Sequence, residues 1–157
     1  MKYESILLSI FLVPLIGAFI LPLIGRISIK LRNFFSLGFI LYSLVFSLKL
    51  MPQVFSGKNI IFTRQLFQGF NCIFVADSLA VFMAVLSSLI SSIIVLYSFG
   101  YISHYENQNE YYSMVVLFLG AMMGLVFSGN LILLYIFWEI TAITSWRLMD
   151  FSGRRPT

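Results

Sequence analysis

Apolar positions in this chain fall into five long runs separated by short polar breaks. A helix needs about 20 apolar residues to cross roughly 30 Å of hydrocarbon. The pattern therefore predicts five membrane-spanning helices, over about 5–24, 34–50, 78–101, 111–127 and 131–149. Pro14 and Pro22 lie inside or at the end of the first span, and a kink is expected near Pro14. Gly25 is expected to end that helix, Arg26, Lys30 and Arg32 to form a basic loop, and Pro52 to stop the second span. Asp77 or Ser78 supplies the N-cap of the third span. Ser103–Glu110 (SHYENQNE) reads as a short polar loop, and Ser128-Gly129-Asn130 as the tight turn between the last two spans.

Residues 52–77 break the pattern. Gly57, Lys58, Asn59, Arg64, Gln65, Gln68, Gly69 and Asn71 alternate there with Val54, Phe55, Ile60, Ile61, Phe62, Leu66 and Phe67. Neither a span nor a linker has that composition. Two short β-rich runs about Ser56-Gly57-Lys58-Asn59 read as an extramembrane β-hairpin lying on the bundle. The expected fold class is all-α membrane, with about five transmembrane helices and a short hairpin between the second and third. It is read as a single domain over 1–157.

Composition agrees with the pattern. The chain is 60% hydrophobic and 10% charged, with a mean hydropathy of +0.96, whereas a soluble domain is about 45–50% apolar and about 25% charged. The first run is too long for a removed signal peptide and lacks a small-residue cleavage site, so it reads as a retained span. The net charge is +4, but the basic residues sit in loops and ends. Membrane orientation accounts for them, and no aromatic-interleaved basic patch suggests nucleic acid; the lipid bilayer is the expected surrounding.

With the 26–32 loop inside, the inner set is Arg26, Lys30, Arg32, Arg147, Arg154 and Arg155, and the outer set Lys2, Lys49, Lys58 and Arg64. A multi-pass protein of the cell (inner) membrane follows, with N-terminus and hairpin outside and the His104 loop and C-terminus cytoplasmic. A single cysteine, Cys72, excludes an internal disulfide, and with one histidine no soft-ligand metal cluster can form. Phosphate-binding glycine loops, nucleophile elbows and CxxC motifs are absent. The chain is read as non-catalytic and without a cofactor of its own.

The candidate chemistry centres on Glu139. It lies nine residues beyond the Ser128–Asn130 turn, roughly 13 Å below the membrane surface and close to mid-bilayer. An acid at that depth costs on the order of 2.5–3.5 kcal/mol. Three readings stay open: an ion- or proton-handling group, an interhelical hydrogen-bonder, or a helix that does not span as drawn. Desolvation raises a carboxyl pKa and a nearby cation lowers it, so a glutamate facing one lysine makes a two-position proton switch. No Lys or Arg of this chain lies at matching depth, because Arg147 is eight residues, roughly 12 Å, further along.

Tyr135, Ile136, Ala142, Ile143 and Trp146 share the Glu139 face, while Thr141, Thr144, Ser145 and Leu148 fall elsewhere. That face is expected to look into a partner helix, with Tyr135 able to hydrogen-bond the carboxylate weakly. His104 is the one side chain that titrates near neutrality, either solvated or serving as a loop relay. Ser87, Ser88, Ser91 and Ser92 form stripes at i, i+4 spacing that suit close helix packing or a hydrated path.

The run LFLGAMMGLVFSGNLILLYIFWEITAITSW resembles the antiporter-like large subunits of three assemblies: respiratory complex I, energy-converting membrane-bound hydrogenases, and multisubunit Mrp-type cation/proton antiporters. The stretch from Asn130 to Glu139 carries most of the likeness. Asp77-Ser78-Leu79 and the Tyr97-Ser98 to Tyr101 end of the third span support it, as does the order of two spans, a hairpin and then the helix bearing Phe137-Trp138-Glu139. The Ile140–Ser145 wording is nearer the hydrogenase and Mrp branches. In that family the glutamate of the fifth helix pairs with a buried lysine on a discontinuous helix, opening a half-channel along a central hydrophilic axis. The resemblance gives that role to Glu139; the lysine has no counterpart in this chain.

The sequence departs from the family at Arg147, Met149 and Asp150, where an apolar ending is usual, and the family's subunits are far longer. A split subunit, a relic and a truncation all fit the basic tail Ser152–Thr157. The implied function is the N-terminal portion of a proton- or sodium-translocating subunit, working among other membrane subunits of a redox-driven complex such as NADH-quinone oxidoreductase or membrane-bound hydrogenase. The alternatives are a component of an Mrp-type antiporter without a redox link and a non-conducting structural subunit.

Overall fold

Each apolar run forms a helix. The computed structural model describes residues 2–57, 59–67, 70–102, 105 and 107–153. In chain order the elements are α1 (Lys2–Ile27), α2 (Ile29–Phe55), β1 (Ile60–Phe67), β2 (Phe70–Ala76), α3 (Ser78–Tyr101), α4 (Gln108–Phe127) and α5 (Leu131–Gly153). All five helices are long and apolar enough to cross a membrane, and the fold class read from the sequence holds.

Four local expectations are corrected. Gly25 does not end α1, which continues to Ile27; the space left by its missing Cβ is filled by the Asn109 side chain. The basic loop reduces to Ser28, whose extended backbone (φ −158°, ψ 130°) separates two helices. Arg26 is therefore in the last turn of α1 and Arg32 in the first turns of α2. Pro52 does not stop α2, which runs through it to Phe55.

The fourth correction concerns the hairpin. Its reversal is not at Ser56–Asn59. Gly57 takes φ +85° and closes α2, with its N–H donating to Val54 O at 3.1 Å, as a left-handed C-terminal glycine does. The strands begin after it and pair antiparallel from Ile60 opposite Ala76 to Phe67 opposite Phe70. The β-branched and aromatic runs that favour a pleated surface lie on the two sides of residues 68–69, not of residue 57.

α4 is the central helix, packed against α1, α3 and α5. Its Gly120 lies so close to α1 that a Cβ there would meet Leu15 N at 2.9 Å, and Gly124 yields its space to the Phe137 ring of α5. α2 buries Ser36, Ile40, Ser43, Ser47, Leu50 and Val54 at helical spacing. Ser43 Oγ donates to Ile10 O of α1 at 2.7 Å. Small side chains let the backbones approach, which drives association where lipid is as apolar as the helices.

The α1–α2 break, the start of α4 and the end of α5 gather at one end of the bundle. Arg32 is 2% exposed there. Its guanidinium donates to Asn109 Oδ1 at 2.6 Å, to Gln108 Oε1 at 2.9 Å and to Asn33 Oδ1 at 2.8 and 3.1 Å. It also lies over the Tyr112 ring, 4.6 Å from the centroid. Arg147 of α5 pairs with Glu110 of α4. The hairpin and the α4–α5 turn occupy the opposite end.

Candidate functional site on α5

Asn130 starts α5. Its Oδ1 accepts from Ile132 N at 2.7 Å and Leu133 N at 3.2 Å, satisfying two of the four free N–H groups of the first turn. From there Leu133, Phe137, Thr141, Thr144 and Phe151 recur at helical spacing and are buried. The two threonine hydroxyls bond carbonyls of their own helix, Thr141 Oγ1 to Trp138 O at 2.7 Å and Thr144 Oγ1 to Ile140 O at 2.9 Å. The buried side of α5 is thus a packing surface.

Glu139 lies on the opposite side. It is exposed, together with Tyr135, Ile136, Ala142, Ile143 and Trp146. The Tyr135 hydroxyl and the Glu139 carboxylate are i, i+4 neighbours on one helix and interact electrostatically. Among the described residues no Lys or Arg pairs with Glu139. The nearest cation along the helix, Arg147, is engaged by Glu110 and lies 3.9 Å from Asp150. Among the described residues nothing covers the Glu139 carboxylate.

The remaining candidates are spread over the bundle. His104 lies outside the described residues. Asp77 is at the hairpin end, far from the α5 face, where its Oδ1 accepts from Ala80 N at 2.7 Å and caps α3. Ser88 and Ser92 are buried and donate to carbonyls of α3 itself. Ser87 and Ser91 line a cavity of about 330 Å³ whose other walls are apolar, among them Ile94, Val115, Phe118 and Leu119. Sequence reasoning placed Asn130 in the turn and overlooked its capping role, although an asparagine directly before an apolar run is a helix-start signal. It also treated Arg32 as a loop charge, because burial depends on Asn109 and Tyr112 some eighty residues away.

Comparisons with known proteins give the context. Residues 69–112 match the family model of the NADH-ubiquinone oxidoreductase (complex I) chain 5 N-terminus. The chain is 36% identical over 143 residues to a Na(+)/H(+) antiporter subunit A1 of Staphylococcus haemolyticus, an alignment taking in 89% of this chain and 18% of that protein. The chain is similar to antiporter-like membrane subunits. It spans less than a fifth of the length of that relative. This antiporter-like chain also superposes on a chain of the membrane-bound sulfane sulfur reductase, an archaeal respiratory membrane complex. There the TM-score is 0.85 at 23% identity, covering 94% of this chain and 31% of the other. Against the Mrp complex of Dietzia sp. DQ12-45-1b the TM-score is 0.78 at 22% identity, covering 95% and 28%. Those identities speak for a shared fold. The antiporter-like chain is a multi-pass membrane protein whose fold neighbours are parts of multisubunit membrane complexes.

Proposed function

We propose that this antiporter-like chain takes part in translocating protons or sodium ions within a multisubunit, redox-driven membrane complex, with Glu139 as the ionisable group of the path. The observation that carries the reading is Glu139 itself: a carboxylate in mid-span, exposed, and without a covering segment or a basic partner among the described residues. A carboxylate left against lipid would cost several kcal/mol. The face therefore calls for a polar or cationic segment from elsewhere, and a carboxylate opposed by one cation changes protonation as that cation approaches or withdraws. Tyr135 would orient the carboxylate, and His104 would serve as a loop relay. Any redox groups would belong to other subunits.

A second reading, an Mrp-type cation/proton antiporter component with no redox link, draws support from the 36% identity to a Na(+)/H(+) antiporter subunit. The two readings share Glu139 and differ in what drives the ions. We further place the protein in the cell membrane with its N-terminus and hairpin outside. Arg26, Lys30, Arg32 and Arg147 gather at the end of the bundle opposite the hairpin, which supports that orientation.

The test is Glu139→Gln in the assembled complex, reconstituted into vesicles. Ion movement is expected to fall by at least about tenfold, which corresponds to about 1.4 kcal/mol, while assembly is unchanged. Translocation at the full rate would leave the chain a structural module. Driving the vesicles with an electron donor, or with a sodium gradient alone, separates the two readings.

A further inference from the structure

The hairpin grips the start of α5 rather than resting beside it. Strand β2 uses its second edge for this. The Gly129 N–H donates to Ile73 O at 2.8 Å, and Ser128 bridges Phe74 in antiparallel sense. Asn130 Nδ2 donates to Asn71 O at 2.9 Å, while the same residue's Oδ1 caps α5. Deeper in the bundle, the buried Phe74 ring of β2 lies 6.3 Å from Phe137 of α5 and 4.8 Å from Phe11 of α1, and Phe137 is 5.7 Å from Phe11. Phe137 stands two residues before Glu139 and fills the space beside Gly124.

In a bilayer an apolar stripe alone does little to fix the rotation of a helix, because lipid is as apolar as the neighbouring helices. The hydroxyls on the buried side of α5 bond only carbonyls of α5 in the contacts described above, so they do not resist rotation. Besides the Arg147–Glu110 pair at the far end of α5, directional resistance comes from the Asn130 side chain at the helix start and from the Phe137 ring, wedged between Phe74, Phe11 and α4. The last two run to the hairpin.

We propose that strand β2 sets the rotation of α5, with Asn130 and Phe74 as positioning residues that keep the Glu139 face turned outward. Its functional consequence rests on the reading of Glu139 given above; the geometric statement does not. Asn130→Asp isolates the tether. A carboxylate still accepts from the first-turn N–H groups, and suits the helix N-terminus, but it cannot donate to Asn71 O. Phe74→Leu keeps the position apolar and withdraws the ring.

The experiment uses the full chain in lipid bilayers, with Cys72→Ser and single spin-labelled cysteines at positions 141, 143, 144 and 146; collision with oxygen reads exposure to lipid. In the parent, labels at 143 and 146 are exposed and those at 141 and 144 sheltered. In Asn130→Asp and in Phe74→Leu the pattern is expected to shift in phase, labels at 141 and 144 gaining exposure and those at 143 and 146 losing it. The shift is larger in the double variant. An unchanged phase in Asn130→Asp and in the double variant overturns the proposal. If Phe74→Leu fails to fold, Asn130→Asp alone decides. The phase is read whether or not ions move, so failure of the Glu139 reading shows separately, in the transport of Glu139→Gln. Where both hold, Asn130→Asp shifts the pH profile of transport, whereas a merely structural defect lowers the rate equally at every pH.

Discussion

At Gly129 the backbone comes so close to β2 that a side chain has nowhere to go. A Cβ would stand 2.8 Å from Ile73 Cγ2, 2.9 Å from Val75 Cγ2 and 3.1 Å from the Ile73 carbonyl oxygen. Gly129→Ala is therefore expected to push the turn off the strand, at about 1–3 kcal/mol for overpacking of this kind. Thermal unfolding in detergent should show a lower midpoint for Gly129→Ala than for Gly38→Ala, where a Cβ meets nothing within 4 Å. Equal midpoints would mean that the strand and the turn move apart freely. At this scale the sequence is legible where a residue is chemically out of place. Glu139 stands out because a carboxylate interrupts an apolar run. Gly129 does not, since a glycine beside a polar turn has an ordinary local explanation and its real neighbour, Ile73, is more than fifty residues away.

The five helices were legible as elements because hydrophobic length alone dictates them: a span must satisfy every backbone group internally, and a helix does so. The hairpin was legible as a departure from that pattern, but its turn was misplaced. Gly57 can end a helix or turn a hairpin, and only the pairing of Ile60 with Ala76 decides between them. The link between the starts of α2 and α4 was not legible at all. Arg32 there spans three amide side chains and the face of Tyr112, a geometry that suits a planar fork of donors. A lysine offers one point charge on a flexible stem and cannot fill it. Arg32→Lys is expected to lose about 1–3 kcal/mol through unpaired amides. Hydrogen exchange should then open the first turns of α2 and α4 together. Opening of α2 alone would show that the clamp does not join the two helices.

For the whole molecule the open question is which end faces the cytoplasm, and the charges bear on it unequally. Arg26 and Lys30 are exposed at the α1–α2 end, whereas Arg32 is buried and Arg147 is paired with Glu110. At the other end, Lys49 lies over the Phe46 ring and Arg64 is exposed on the hairpin. The positive-inside bias counts basic residues in short connections most strongly and discounts longer loops. The one-residue break at Ser28, with Arg26 and Lys30 beside it, therefore outweighs the hairpin charges, and the α1–α2 end is expected inside. The chain's single cysteine, Cys72, makes this testable with little disturbance. In a Cys72→Ser background, Arg64→Cys should react with a membrane-impermeant thiol reagent on intact cells. Lys30→Cys should react only after the membrane is opened. The reverse pattern would turn the bundle over, and with it the side from which an ion reaches Glu139: the carboxylate lies eight residues from Leu131 at the hairpin end of α5 and fourteen from Gly153 at the other, so the two approaches to it differ in length.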